Sequence, residues 1–506
     1  MGEKSKSKSK SKKKYVLAVD EGTTGTKAFI FDKNLNVVSS GYRELALYST
    51  SCGRAELDSE EIFEKTVEAC RESIQKAGIE ADEIACMGIA AQRSTLLAWE
   101  KDSGKPSGRA VSWQDTRMGY LTDRLQRDGM MDYVFSDLGR SKATSGIFII
   151  KWMDENIEGF HEALVKGDLL YGSVDSWLIY RLTGCKNYCT SIDHAMLDGL
   201  VDFHHFKPTE RLFEYLELPS GSLPLVLDNA ASYGVTDKSL FGAEIPITCV
   251  IADQHASLFA QRVTNRGDCK CTNGTGAFLD LNIGHESLPP GRSHSILLGW
   301  RLAGVPTYVA ECYVPTTGTF QRWIKKVFAL ESYKEIDALA ASVEDSRGAV
   351  VLPTLFGTLH PQRDPTARAA IMGISESCGR EHIMRATLEG IAFFIRYIAD
   401  AMTDELGIAI NDMRIDGGLA KSDIFCQILS SVMKRQLRRP ATVELTALGA
   451  AEIAGMQIGL WSEESLDAQY RSGLQTFSSS PEEARKYEKQ FGVWCTALER
   501  SLNWPQ

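Results

Sequence analysis

The residues best suited to chemistry lie near the N-terminus, in the run Asp20-Glu21-Gly22-Thr23-Thr24-Gly25-Thr26-Lys27. Glycines let a backbone approach a phosphate closely, and successive N–H groups with threonine hydroxyls make an anion-binding concavity. Lys27 can add a positive charge, and Asp20 could hold a magnesium ion through water. The chain contains no G-x-x-x-x-G-K-[ST] loop. A plain polar turn between two strands explains this run equally well.

A second acidic position follows the apolar run from Ile247 to Ala252, at Asp253-Gln254-His255. A carboxylate at a strand end can accept a proton from a substrate hydroxyl, and phosphoryl transfer asks little of such a base. The alternative is that Asp253 caps a helix beginning near Ala256. On these residues alone the capping role is favoured, and His255 is interpreted as structural.

Three more segments follow strand-like runs. Gln92-Arg93-Ser94-Thr95 and the run from Trp113 to Arg117 combine Arg or Trp with polar residues, so they could bracket a polyhydroxylated ligand. Ion pairs and a half-buried aromatic ring explain both equally well. In Asp416-Gly417-Gly418 the paired glycines would let a nucleobase or ribose approach the backbone. A tight strand-to-helix turn is the simpler explanation of that segment.

Alternating strands and helices would be needed to bring these segments together. Tyr15 to Asp20 and Thr26 to Asp32 are β-prone and predict a hairpin around the first Gly/Thr turn. Ser59 to Lys76 has helical spacing, and Ile84 to Ala90 is a short apolar run typical of a strand. This alternation predicts an α/β fold.

A second hairpin signal lies half a chain later, where Lys270 to Gly276 runs into the β-prone segment from Ala277 to Ile283. Its Thr275 lies 252 residues after Thr23. Two Gly/Thr turns at this separation suggest a duplicated fold with one phosphate loop from each half. The boundary is then expected in the polar stretch from Gln261 to Asp268. Coincidence between two common turns is the alternative.

The composition of the 506-residue chain is that of a globular protein, with 43% hydrophobic and 24% charged residues. No stretch of about 18 apolar residues occurs, which argues against a membrane span. The net charge is -10, although the first fourteen residues carry seven lysines and one glutamate, or +6, which leaves -16 for the rest. An acidic body argues against a nucleic-acid partner.

The N-terminal segment and the cysteines bear on location. Ser5 to Lys14 consists only of Ser and Lys, so it is neither a signal peptide nor an amphipathic transit helix. Residues 1–14 are interpreted as a solvated, disordered basic tail, with a tether to an anionic surface as the alternative. The twelve cysteines are scattered, and the close pair Cys269 and Cys271 lacks a zinc spacing. Reduced thiols and a cytoplasmic location are expected.

In their order and spacing these segments resemble the FGGY family of carbohydrate kinases, from Tyr15 to about Trp461. The most specific part is the run from Gly417 to Asp423 with Gln427, followed by the run from Glu444 to Ala451. The segments DEGTTGTK, QRST, SWQDTR, VDSWLIYRLTG, IADQ and GTG also follow in the family's order.

Within that family, Asp253-Gln254 and the run from Gly274 to Phe278 are most similar to glycerol kinases. The resemblance implies two ribonuclease-H-like, actin-like ATPase domains flanking a deep catalytic cleft, over residues 15–264 and 265–506. It implies that ATP and Mg²⁺ bind mainly to the second domain and the polyol mainly to the first. It also implies a homo-oligomer, since members are often dimers or tetramers.

The same resemblance implies roles position by position. Asp253 becomes the general base, and Asp20 helps to place magnesium. The residues implied around the nucleotide are Thr23, Thr24, Lys27, Thr275, Gly318, Arg322, Gly418, Leu419 and Asp423. The residues implied around the polyol are Arg93, Ser94, Trp113, Gln254 and Phe278.

Several positions depart from the glycerol kinase pattern. Ser94 stands where glutamate is usual, and Ala143-Thr144 stand ahead of Ser145-Gly146 where a tyrosine is usual. Each change removes bulk and a hydrogen-bonding group, and losing such a partner costs about 1–3 kcal/mol. Together they could reduce efficiency on glycerol by roughly 10²-fold or more and admit a longer substrate. Glu21, Gly25, Lys27 and Asp423 replace the usual glutamine, serine, arginine and asparagine.

The sequence therefore predicts an ATP-dependent kinase that phosphorylates a terminal hydroxyl of glycerol or a related small polyol. Four- or five-carbon polyols and ketopentoses, of the erythritol, ribulose or xylulose type, are the main alternative substrates. A non-catalytic sugar- or nucleotide-binding regulator is a second alternative, against which Asp20 and Asp253 argue. An actin- or chaperone-like ATPase is a third, against which Arg93, Trp113 and the lack of a peptide-binding domain argue.

Overall fold

The structure is a computed structural model that describes residues 13–50, 53–139, 146–441 and 444–505. Its strands are β1 Tyr15–Gly22, β2 Gly25–Phe31, β3 Val37–Glu44, β4 Leu47–Ser49, β5 Ala55–Leu57, β6 Ile84–Ala91, β7 Leu96–Glu100, β8 Ala110–Val111, β9 Leu169–Ser173, β10 Cys189–Ser191, β11 Leu225–Leu227, β12 Ile247–Ala252, β13 Asp268–Asn273, β14 Ala277–Gly284, β15 Ser295–Leu302, β16 Val305–Val314, β17 Val350–Leu352, β18 Ala370–Met372, β19 Asp412–Asp416, β20 Leu437–Pro440 and β21 Leu474–Phe477.

The helices alternate with these strands. They are α1 Ser59–Ala77, α2 Gly119–Arg127, α3 Met131–Leu138, α4 Ile147–Asn156, α5 Phe160–Lys166, α6 Val174–Leu182, α7 Ile192–Leu197, α8 Glu210–Leu216, α9 Lys238–Phe241, α10 Asp253–Ala260, α11 Gly318–Val327, α12 Tyr333–Ala341, α13 Arg380–Leu406, α14 Asp423–Met433, α15 Leu445–Gln457, α16 Glu463–Ser472 and α17 Pro481–Ser501. The α/β class and the helix and strands predicted over residues 15–90 are confirmed.

Local sequence explains where α1 begins and ends. The Asp58 carboxylate accepts the Glu61 N–H at 3.1 Å and caps the first turn. Gly78 ends the helix in the left-handed region, with φ 65°. One face of α1, which includes Ile62 and Val67, is buried against β2 and β3. The amphipathic spacing in the sequence therefore corresponds to a real packing face.

Two large sheets repeat one topology. The N-terminal sheet has the order β12-β6-β1-β2-β3, with β1, β2 and β3 antiparallel and β6 and β12 parallel to β1. The C-terminal sheet contains the corresponding order β20-β19-β13-β14-β16, with the same directions, and adds β15 and β21 at its edges. This shared topology supports the duplication suggested by the two Gly/Thr hairpins. The predicted boundary at 264/265 lies between α10 and β13 and remains a prediction.

One helix of the C-terminal half packs on the N-terminal sheet. Helix α15 lies against β1, β6, β12 and α10. The approach is so close that a Cβ on Gly449 would lie 1.9 Å from the Ala256 oxygen, and a Cβ on Gly88 would lie 2.3 Å from the Ala450 oxygen. The small residues of this helix are therefore structural, and they fix α10 against the sheet.

Residues 1–12 of the predicted basic tail lie outside the described residues. None of the helices in the described part of the chain is long and apolar enough to cross a membrane.

Candidate active site

A cavity of about 650 Å³ is lined by residues from both large sheets. Because β1, β6 and β12 run parallel, their carboxyl ends lie at one edge of the N-terminal sheet, where polar loops can converge. The β13–β14 turn approaches this edge from the C-terminal sheet. Eight of the residues expected in the site line the cavity: Thr23, Arg93, Ser94, Trp113, Asp253, Gln254, Thr275 and Phe278.

Asp253 is the first residue of α10 and faces this cavity. The cap position is taken by Ala252, and no side chain caps the helix, so the capping interpretation of Asp253 is wrong. One oxygen of the Asp253 carboxylate accepts the Gln254 N–H at 2.7 Å. The carboxylate therefore has one fixed contact and remains directed at the space where a ligand hydroxyl would lie.

A buried carboxylate, Asp193, fixes the junction of β12 and α10. It accepts the Ala252 N–H at 2.8 Å and contacts His255 Nδ1 at 3.0 Å. Ser191 and Asn229 also donate to it, each at 2.6 Å. Although burial opposes ionisation, these partners hold the pKa of Asp193 well below its usual range. His255 is therefore structural, as the sequence indicates, and the turn carrying Asp253 is rigidly held.

Asp20 lies near the end of β1, close to Asp253. Burial and the negative charge of Asp253 raise the pKa of Asp20 to about 7, while Lys27 opposes this rise. The Lys27 ammonium lies 2.8 Å from Glu444, which precedes α15. The carboxylates of Asp20 and Asp253 repel each other beside the first Gly/Thr turn. A magnesium ion fits this place, because Mg²⁺ prefers oxygen ligands and commonly binds carboxylates and phosphates together. Among the described residues, no group of three or more metal-ligating side chains occurs, so such an ion would need water and phosphate oxygens as well.

The first Gly/Thr turn, at Thr23 and Thr24, is linked by a chain of hydrogen bonds to Trp113, which also lines the cavity. Trp113 Nε1 donates to Thr23 Oγ1 at 3.0 Å, and Thr23 donates to Gln92 Oε1 at 3.2 Å. The Gln92 amide donates in turn to Glu21 at 3.2 Å. Burial raises the pKa of Glu21 to about 8. The turn is therefore preorganised, whereas Thr24 is exposed beside it.

The side of the cavity that Arg93 lines carries a strong ion pair. Arg93 Nη1 lies 3.0 Å from Glu311 Oε2, on β16. Although burial opposes the charge, Glu311 and Asp253 raise the pKa of Arg93 above its usual range, so the guanidinium stays charged. The rings of Phe278 and Tyr313 lie with centroids 4.5 Å apart and form an aromatic wall. Arg117, by contrast, pairs with Asp115 and Glu56 and belongs to the structure rather than to the cavity.

Ser94 lines the cavity with a left-handed backbone, φ 53°. Its short side chain leaves space where the glycerol kinase pattern has glutamate. The second departure on the polyol side, Ala143-Thr144, lies outside the described residues.

The second Gly/Thr turn is fixed by the start of α11. The Thr275 oxygen accepts the N–H groups of Thr317 and Thr319, both at 3.1 Å, and the Gly274 oxygen accepts the Gly318 N–H at 3.1 Å. Because these bonds already use the N–H groups of Gly318 and Thr319, the dipole of α11 rather than its first N–H groups would favour an anion beside this turn. Gly318 is thus a structural contact of the turn, and Arg322 is exposed one turn later on α11.

The Asp416-Gly417-Gly418 segment ends β19 beside the same turn. Gly417 has φ 88°, and a Cβ there would lie 2.3 Å from the Asn273 oxygen, whereas a Cβ on Gly418 would meet nothing within 4 Å. The backbone at Gly418 is therefore open to a flat ligand. Leu419 is buried, so a nucleotide could use its backbone rather than its side chain. Asp423 is largely exposed and pairs with Arg439 at 2.5 Å.

The sequence missed three acidic or aromatic residues of the site. Glu311 and Tyr313 line the cavity, and Glu444 binds Lys27. The spacing of Glu311 and Tyr313 was a usable signal, because residues two apart on a strand share a face. Glu444 offers no such local signal, since it meets Lys27 from 417 positions away.

Comparisons with known proteins agree with this arrangement. The model for the N-terminal domain of the FGGY family of carbohydrate kinases matches residues 15–260, and that for the C-terminal domain matches residues 269–458. A glycerol kinase of Caldanaerobacter subterraneus subsp. tengcongensis is 34% identical over 497 residues, which covers 97% of this chain and 99% of the relative. Glycerol kinase 2 of Thermotoga maritima is 33% identical over 507 residues, with the same shares covered.

Solved structures show the same fold. The crystal structure of Plasmodium falciparum glycerol kinase with ADP matches with a TM-score of 0.91 at 28% identity, covering 96% of this chain and 98% of that one. A ligand-bound xylulose kinase from Lactobacillus acidophilus matches with a TM-score of 0.83 at 21% identity, with the same shares covered. The second likeness concerns the fold alone.

Proposed function

The chain belongs to the FGGY family of carbohydrate kinases, and we propose that it transfers the γ-phosphate of ATP to a terminal hydroxyl of glycerol or a related small polyol. The observation that carries this proposal is the Asp253 carboxylate, which lines one cavity with Arg93, Gln254 and both Gly/Thr turns. The relatives named glycerol kinase and the Plasmodium structure with ADP support glycerol and an adenine nucleotide as substrates.

Asp253 acts as the general base of this transfer. Its carboxylate takes the proton of the terminal hydroxyl while that oxygen forms a bond to the γ-phosphorus. The bond from the γ-phosphorus to the oxygen bridging the β-phosphate breaks, and its electron pair leaves with ADP. The Gln254 N–H and the Asp193 network keep the carboxylate in position, so little reorganisation is needed at the moment of reaction.

The two Gly/Thr turns bind the phosphates from opposite sides. Thr23, Thr24 and Lys27 approach from the N-terminal sheet, and the Lys27 ammonium is kept in place by Glu444. Thr275 and the start of α11 approach from the C-terminal sheet. Farther along the C-terminal side, toward the nucleoside, lie the other residues expected around the nucleotide: Gly318, Arg322, Gly418, Leu419 and Asp423.

Magnesium, when bound, supplies positive charge that offsets the charge of the phosphate oxygens. Asp20 is the residue that would hold it, through water or directly. Its raised pKa fits this role, because a cation beside Asp20 and Asp253 would remove the repulsion that now favours protonation.

A four- or five-carbon polyol or a ketopentose is the second candidate substrate. The observation that favours it is Ser94, which lines the cavity with a short side chain where the glycerol kinase pattern has glutamate. The same reaction and the same base apply, so only the identity of the acceptor differs.

The remaining properties follow from the family and the composition. We propose residues 15–264 and 265–506 as the two domains, a homo-oligomer as in related kinases, and the cytoplasm as the location. The eleven cysteines in the described ranges are all free, which supports a reducing compartment.

The experiment is ADP release with MgATP against glycerol, erythritol, ribitol, xylitol, arabinitol, ribulose, xylulose and dihydroxyacetone. The highest kcat/KM on glycerol supports a glycerol kinase. A kcat/KM that is higher for a longer acceptor than for glycerol by about tenfold or more supports the second substrate class. ADP release that no acceptor stimulates contradicts the proposed function.

A further inference from the structure

A fully buried lysine contacts the residue next to the proposed base. Lys270 lies in the middle of β13, and its side chain is completely inaccessible to solvent. Its ammonium donates to the main-chain oxygen of Gln254 at 3.3 Å and to Gln254 Oε1 at 3.2 Å. Gln254 belongs to α10, which follows the N-terminal sheet, so this contact joins the C-terminal sheet to the turn that carries Asp253.

The chemistry of the ammonium fixes the direction of the Gln254 amide. An ammonium has three donors and no acceptor, so it requires an oxygen from the side chain it meets. With Oε1 turned to Lys270, the NH₂ group of Gln254 is left for the cavity that this residue lines. Gln254 therefore presents a hydrogen-bond donor to an acceptor hydroxyl of the ligand.

The positive charge of Lys270 is compensated within the sheet. The nearest carboxylate oxygen is Asp280 Oδ2, at 3.6 Å, and the two residues face each other across β13 and β14. Asp280 faces Glu311 on β16, which pairs with Arg93. A row of four ionisable groups, Lys270, Asp280, Glu311 and Arg93, thus crosses three strands and ends on the arginine that lines the cavity. Burying a lysine is costly unless it is paired and hydrogen-bonded, so this row accounts for its presence.

We propose that Lys270, supported by Asp280, is a positioning residue of the polyol site. It orients the Gln254 amide as a donor and holds the first turn of α10, from which Asp253 projects. This inference rests on the proposed function, since it concerns how the same site recognises its acceptor.

The test compares Lys270→Met, Lys270→Arg and Gln254→Glu with the wild type at pH 8. Steady-state rates are measured with the acceptor that gives the highest kcat/KM, and the thermal midpoint is recorded for each variant. Lys270→Met should raise the KM for the acceptor by about tenfold or more and the KM for ATP by less than about twofold. Lys270→Arg retains donors and should recover much of the loss.

Gln254→Glu keeps an oxygen for Lys270 but lacks the NH₂ donor, so it should fold and should also raise the KM for the acceptor. The inference is overturned if this variant keeps the wild-type KM for the acceptor. It is also overturned if Lys270→Met raises the KM for the acceptor and the KM for ATP equally. The same holds if the rise in the KM for the acceptor across the variants merely parallels the fall in their thermal midpoints. Calorimetry with glycerol and the other acceptors separates the two proposals. A wild type that neither binds nor phosphorylates any acceptor overturns both, whereas binding that is insensitive to Lys270 overturns this one alone.

Discussion

The guanidinium of Arg93 lies 3.0 Å from the carboxylate of Glu311, although the two residues are 218 positions apart. Arg93 follows β6 of the N-terminal sheet, and Glu311 lies on β16 of the C-terminal sheet. Both side chains line the cavity and are mostly buried. The cavity is therefore built from both halves of the chain, and the guanidinium of Arg93 would have to keep its ion pair with Glu311 while it binds a hydroxyl of the proposed acceptor.

Arg93→Lys should weaken acceptor binding. Lysine keeps the charge but loses the planar fork, so it cannot serve Glu311 and a substrate hydroxyl together. We expect the KM for the acceptor to rise about tenfold, with the KM for ATP changed by less than about twofold. Arg71→Lys, at an exposed position where the Arg71 Nε donates to the Leu240 oxygen, is the matched control. An unchanged KM for the acceptor in Arg93→Lys would contradict this role.

Ser94→Glu should shift acceptor preference toward glycerol. The added carboxylate fills space in the cavity and supplies a hydrogen-bond acceptor for a hydroxyl, worth about 1–3 kcal/mol where it is made. We expect the ratio of kcat/KM for glycerol to that for xylulose to rise by about tenfold. Ser94→Ala, which adds no group, should leave that ratio within about threefold. A fall of this ratio in Ser94→Glu would contradict the idea that the side chain at position 94 limits the size of the acceptor.

The sequence could predict those parts of the fold whose signals are local. Both Gly/Thr hairpins occur at the expected strands because strand, turn and strand adjoin in the chain. The phosphate-binding role that glycine and threonine suggest for both turns stays a prediction. The capping interpretation of Asp253 failed because Ala252 already has the extended backbone of a cap, and a one-residue shift at a helix start is invisible in the sequence.

The rest of the site depends on contacts between distant residues. Lys27 meets Glu444, and Arg93 meets Glu311, only after the two sheets have formed and approached each other. Similarly, Gly449 looks like a weak helix residue in the sequence. The structure explains why glycine is needed there, because α15 crosses α10 so closely at this position that there is no room for a Cβ.

Gly449→Ala should destabilise the protein and slow its reaction. The new Cβ would overlap the Ala256 oxygen, a backbone atom of the helix that begins at Asp253, so α15 and α10 must separate. Such overpacking costs about 1–3 kcal/mol. We expect the thermal midpoint to fall by several degrees, with a loss of kcat. Gly492→Ala is the matched control, because it lies in α17 with open space around it and should leave or slightly raise the midpoint.

Asp280→Asn should change how stability depends on pH. Burial, together with the nearby Glu311, raises the pKa of Asp280 despite Lys270. The folded protein therefore binds more protons at this site than the unfolded chain between about pH 4 and the raised pKa, so wild-type stability falls as the pH rises through that range. Asparagine has no such titration. The midpoint of Asp280→Asn relative to the wild type should be higher at pH 8 than at pH 5, and the reverse order would contradict the direction of this shift.

The most direct test of the account is Asp253→Asn, assayed for ADP release and for the phosphorylated acceptor by mass spectrometry. Without a carboxylate to take the hydroxyl proton, turnover should fall by about 10²–10⁴-fold. The Kd for ATP, measured by calorimetry, should stay within about threefold, and Asp82→Asn at an exposed position should change neither quantity. Turnover equal to that of the wild type in Asp253→Asn would contradict the assignment of the base and with it the proposed mechanism.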